Sequence, residues 1–102
     1  MYEYIITAAL GAILCVIGGI NMTGNVRALH RYHYHRVTPE NMIPFGRLVG
    51  IGNIIIGIAL MLFSLLMALK IEIIAAVIMI LGFIIGLGFS FYGMIKYNKG
   101  IF

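Results

Sequence analysis

Three long apolar stretches, separated by one polar segment and one short polar step, set the pattern of this chain. They run from about Tyr4 to Asn21, from about Phe45 to Leu69 and from about Ile73 to Tyr97. Between the first two lies a loop over 22–44. The stretch from Asn25 to Arg47, NVRALHRYHYHRVTPENMIPFGR, holds four of the seven Lys/Arg residues, all three histidines and both prolines. Lys70-Ile71-Glu72 is the break between the second and third stretches. Crossing the hydrocarbon core takes about 20 apolar residues at about 1.5 Å each, so each stretch is predicted to be a transmembrane helix. The fold class that follows is an all-α membrane protein in a single domain over 1–102, with the last two helices forming an antiparallel hairpin.

Within the spans, small residues recur at helical spacing. On a helical wheel Tyr4, Ala8, Gly11, Cys15, Gly18 and Met22 share one face of the first helix. In the second, Gly46, Gly50, Asn53, Gly57, Ser64 and Ala68 fall within a narrow arc. In the third, Ala75, Met79, Gly82, Gly86 and Gly93 share a face, and Gly82-Phe-Ile-Ile-Gly86 is a literal GxxxG. Such stripes let backbones approach closely, while the bulky Ile, Leu and Val elsewhere suit lipid. Asn53 lies roughly 10 Å inside the Arg47 end by the helical rise. It is the one strongly polar side chain placed within a predicted span, and an amide in hydrocarbon is expected to bond across the stripe.

The polar segment carries weaker local signals. Gly24 to His35 is expected to form a short interfacial helix, with Arg27, Arg31, Tyr34 and His35 on one side and Val26, Leu29 and His33 on another; such a pattern suits an anionic leaflet. Thr38-Pro39-Glu40 reads as a helix start with a Thr N-cap, proline at the first position and an acid in the first turn. Pro44 limits that helix to one turn, Pro39 to Ile43, with a fresh start at Pro44.

Composition sharpens this picture. The chain is 102 residues, 63% hydrophobic and 10% charged, against about 25% charged in soluble domains. A chain this small cannot bury so much apolar surface within itself. The net charge of +4 gathers beside the apolar stretches, which points to anionic lipid headgroups at the inner leaflet rather than nucleic acid. The opening Met-Tyr-Glu-Tyr lacks the positive n-region of a signal peptide, so the first stretch reads as a retained span. Cys15 is the only cysteine, and no intrachain disulfide is possible. The central loop and the tail carry six cations, Arg27, Arg31, Arg36, Arg47, Lys96 and Lys99, against Lys70 alone on the opposite side. By the positive-inside rule the protein is expected in the cell membrane with its N-terminus outside and its central loop and C-terminus cytoplasmic.

Candidate chemistry concentrates in the loop. His30 and His33 stand one helical turn apart, but His35 points about 140° away from His30 at 100° per residue. A structural zinc site wants four ligands, usually including cysteine, and no cysteine is near. The cluster therefore offers an incomplete metal-ligand set; a pH-sensitive group or headgroup-level side chains are the other readings. Arg27, Arg31, Arg36 and Arg47 could cradle a phosphate or lipid headgroup, or serve as the topogenic charges alone. No Ser/His/Asp set, metal-spaced cysteines or phosphate loop stands in the sequence, and no span carries an ionisable residue of the kind coupled transporters use. No enzyme activity and no cofactor is expected.

Asn21-x-x-Gly24-x-x-Arg27 at the end of the first span, a basic loop, and Arg47-Leu-Val-Gly50 opening the next resemble the SdpI-type bacterial membrane proteins and small three-helix families of the same layout. The resemblance covers about a third of the chain. It implies a toxin-immunity or signalling role for the loop, with Asn21, Arg27 and Arg47 as the matched positions. Two functions of different class follow. One is a small interaction or regulatory subunit that pairs through its glycine stripes with itself or a larger membrane partner. The other is a homo-oligomeric passive ion or solute channel lined by Asn53 and small residues.

Overall fold

A computed structural model describes residues 2–27 and 33–100. It contains α1 (Tyr2–Met22), a 3₁₀ turn (Pro39–Asn41), α2 (Met42–Ala68) and α3 (Glu72–Tyr97), and no strand among the described residues. All three α-helices are long and apolar enough to cross a membrane. With 21, 27 and 26 residues they measure about 31, 40 and 39 Å at the helical rise. The molecule is 46 Å long and 19 × 18 Å across.

Each helix starts a little before its predicted span. Pro44 sits inside the first turn of α2 rather than ahead of it. Amides in a first turn have no intrahelical acceptor, so a proline there forfeits no hydrogen bond. The 3₁₀ turn runs directly into α2, the Met42 amide bonding the Pro39 carbonyl. The interfacial helix expected over Gly24–His35 is not seen in the described part of that segment. Thr23 and Gly24 form a turn, with Gly24 at φ +96°, which ends α1. His33 to Arg36 form a short turn closed by the Val37 amide on the Tyr34 carbonyl. Residues 28–32, including His30 and Arg31, lie outside the described residues.

α2 is the central element. It buries nine residues, against three in α1 and six in α3, because it alone packs against both other helices, which hardly meet each other. The first face of α2 is the predicted stripe. A Cβ on Gly11 would come 2.5 Å from the Gly57 carbonyl oxygen and one on Gly57 the same distance from that of Gly11. Gly18 and Gly50 form a second reciprocal pair, and Gly46 lies against the Asn21 carbonyl. The second face is Phe45, Val49, Gly52, Ile56 and Ala59, all buried. Gly52 and Gly86 meet backbone to backbone, Gly82 packs on Ala59 and Gly93 on Leu48. At 100° per residue these two faces stand roughly 120° apart around α2. The third face of α2 and the outer faces of its neighbours are exposed: Ile58, Leu62 and Leu65 on α2, Ile5, Ile13 and Val16 on α1, Ile80, Ile84 and Ile95 on α3. That is the apolar jacket a lipid environment solvates.

The hairpin between α2 and α3 closes by a Schellman arrangement. The Lys70 amide bonds the Met67 carbonyl and the Ile71 amide that of Leu66, while Lys70 takes φ +63°. These bonds cap carbonyls the helix end would otherwise leave free.

Candidate functional site: the basic platform at the loop end

The end of the bundle where α1 finishes, α2 begins and α3 finishes carries the polar segment. There, apolar residues of loop and helices form a small core of their own: Val26, Val37, Phe45, Val49 and Met94, with Tyr34, Met42 and Tyr97 packed against it. Two of these, Val26 and Val37, come from the loop and are 4% and 8% exposed. Burying a branched side chain of this size contributes about 1.5–3 kcal/mol, so both act as plugs that hold the described parts of the loop down on the helices.

Two polar clasps finish the attachment, and each centres on a fully buried asparagine. Asn98, the residue after α3, accepts the Arg36 backbone N–H at 2.7 Å and donates its own amide to the Gly100 carbonyl at 2.9 Å. The Arg36 guanidinium reaches the Lys99 carbonyl at 3.4 Å. The loop is thereby tied to the far end of the chain, across more than sixty positions of sequence. On the other side, Asn53 donates to the Asn21 side-chain oxygen at 2.8 Å, and Asn21 donates to the Asn25 carbonyl at 3.0 Å. The Asn25 side chain in turn accepts the Arg27 N–H at 3.1 Å. A chain of hydrogen bonds therefore runs from inside the α1–α2 interface out to the loop. In hydrocarbon each such amide needs a partner, and this geometry supplies one at every step; among the described residues no buried side-chain polar atom lacks a partner.

The platform surface is basic. Arg27, Arg36 and Arg47 are exposed, as is His35, and His33 is half-buried. Lys96 lies 5.7 Å from the Tyr92 ring centre and 5.3 Å from that of Tyr97, a cation–π contact at the end of α3. Among the described residues no three His, Cys, Asp or Glu side chains are grouped so as to hold a metal ion. Between the end of α1 and the start of α2 opens a cleft of about 610 Å³ whose lining includes Thr23, Asn25, Val26, Arg27, Tyr34 and Met42.

The predicted packing residues fall into two sets. Gly11, Gly18, Gly46, Gly50 and Gly57 line the α1–α2 contact, with Asn53 bonded across it, and Gly82, Gly86 and Gly93 line the α2–α3 contact. Of the predicted arginines, Arg27 borders the cleft, Arg36 joins the Asn98 clasp and Arg47 projects separately from the first turns of α2. Sequence reasoning missed Gly52, Asn98 and the pairing of Asn21 with Asn53. Gly52 carried a readable signal, since a middle helix between two neighbours needs a second close-approach face. Asn98 followed Tyr97 in a tail without periodicity and offered none.

Comparison with family models, with curated proteins and with solved structures finds no match to this chain.

Proposed function

We propose that this chain is a small integral membrane interaction protein, of a regulatory or immunity type, which works through the basic platform at the loop end of its bundle. The observation that supports this most is the way the loop is fastened. Val26 and Val37 are plugged into a core, and the Arg36 amide is held by the buried Asn98. A loop that served only to carry topogenic charge would need neither. The platform presents Arg27, Arg36 and Arg47 at set positions, a surface suited to anionic headgroups or an acidic partner. The Lys/Arg count supports a cytoplasmic position for this surface.

The pore reading loses its particular residues. Asn53 is hydrogen-bonded to Asn21 within the chain, and the glycine stripes face one another between α1, α2 and α3. Both features serve packing within a single chain, which supports the interaction reading over the pore.

The test has two arms. Pure protein in liposomes should pass no ions, and a photo-crosslinker in place of Arg47 should give a discrete protein adduct in native membranes. The same crosslinker in place of the exposed Ile73, at the opposite end, should give none. Ion flux that changes in Asn53→Leu would establish the channel instead; absence of any adduct at the platform would remove the interaction role.

A further inference from the structure

We infer that the cleft between the end of α1 and the start of α2 is a phosphate site, with Arg27 as its charged ligand. The inference rests on the reading of the loop end as the working end of the molecule. The cleft holds about 610 Å³, ample for a phosphate ester with its attached glycerol. It begins one residue beyond Met22, the last residue of α1, which is headgroup depth for a helix about 31 Å long spanning a core of about 30 Å.

The chemistry of the lining suits that group. Arg27 brings a planar fork of donors that matches phosphate oxygens. Its guanidinium makes no hydrogen bond or ion pair among the described residues, whereas that of Arg36 is engaged by Lys99. Tyr34 adds a hydroxyl donor. Asn25 adds an amide, since its oxygen alone is used by the Arg27 backbone. Thr23 already donates to the Ile20 carbonyl at 2.6 Å, so its oxygen can only accept. Among the described residues no carboxylate lines the cleft, and Val26 and Met42 give it an apolar wall. A mixed wall fits an ester carrying carbon better than a bare ion.

Arg27 is also pre-positioned. Its backbone is tied through Asn25 to Asn21, and Asn21 to Asn53 in the middle helix. Moving this residue's backbone away breaks its bond to Asn25 or the bond of Asn25 to Asn21, which lowers the ordering cost that falls on binding.

The phosphate has two sources, a phospholipid headgroup or a free phosphate, and the experiment separates them. The full chain in detergent is titrated with dioleoyl phosphatidylglycerol, and the retained lipid is read by native mass spectrometry, with and without inorganic phosphate as competitor. Arg27→Gln should weaken retention by about tenfold, the loss of one charge-assisted hydrogen bond. Lys70→Gln, an equal change of net charge at the opposite, exposed end of the bundle, should leave it within about twofold. Arg27→Lys, which keeps the charge and loses the fork, should fall between and guards against misfolding of the glutamine variant. Lipid retained in the presence of phosphate identifies the headgroup as the source; displacement by phosphate in the wild type alone identifies the free ion. Equal losses in Arg27→Gln and Lys70→Gln, or no loss in either, would overturn the site in favour of diffuse attraction. The Arg47 crosslinking adduct reports separately on the platform: it survives if the phosphate site alone is wrong.

Discussion

Asn21 and Asn53 show how much one pair of side chains decides in this protein. Each sits in a helix that is otherwise hydrocarbon, and each takes the other as partner at 2.8 Å. Interhelical hydrogen bonds of this kind contribute about 0.6 kcal/mol on average and up to about 1.7. A double-mutant cycle with Asn21→Ala and Asn53→Ala, followed by unfolding in mixed micelles, should give a coupling of roughly 1 kcal/mol. Asn53→Leu alone should be worse than the double change, because it strands the Asn21 oxygen. Additive single effects would mean the two amides do not meet. The need of Asn53 for a partner was legible in the sequence, since no amide is left bare in hydrocarbon. The identity of the partner was not. Asn21 stood at the expected edge of the first span, where water is an equally good partner, and only the continuation of α1 to Met22 carries it inside.

Helices, taken one at a time, were the most readable level. Length, apolarity and small-residue spacing give three spans, and the α1 and α3 stripes identify the faces those helices turn toward α2. For α2 the sequence offered one strong arc and only a faint second one. Gly46, Gly50 and Gly57 stand out as a run of glycines, while the second face is built on Gly52 alone among larger residues such as Phe45 and Ile56. Helix-helix contact in lipid depends on backbone approach, which separates the glycines into those that matter and those that do not. A Cβ on Gly57 meets the Gly11 oxygen at 2.5 Å, whereas one on Gly88 meets nothing within 4 Å. Gly57→Ala should therefore destabilise the bundle by roughly 1–3 kcal/mol through overpacking. Gly88→Ala should be neutral or stabilising by up to about 1 kcal/mol through helix propensity. Thermal unfolding of both variants in the same detergent checks this, and equal behaviour would contradict the assigned faces. Of the interfacial helix expected over Gly24–His35, residues 28–32 lie outside the described residues; at its start Gly24 takes a left-handed conformation within a turn.

At the scale of the whole molecule, the three helices form an angular bundle around α2, and the two ends of that bundle differ in kind. One end is a tight turn at Lys70. The other is a folded platform in which loop, α2 and the last turn of α3 share one core. Nothing in the sequence pattern announces this junction, because it joins Arg36 to Asn98 and Val37 to Met94 over long separations, and periodicity carries no information about contacts between segments. Yet the junction is what turns a stretch of positive charge into a surface of fixed shape, and the proposed interaction role stands on it. Amide hydrogen exchange at Arg36 and Val37 tests it most directly. Their N–H groups are bonded to the Asn98 side chain at 2.7 Å and the Tyr34 carbonyl at 3.0 Å. Both should exchange slowly in the wild-type protein, and Arg36 should lose its protection in Asn98→Ala while the helices keep theirs. Exchange of the wild-type Arg36 amide at the rate of an unstructured chain would contradict the platform, leaving the loop a charged tether between two membrane helices.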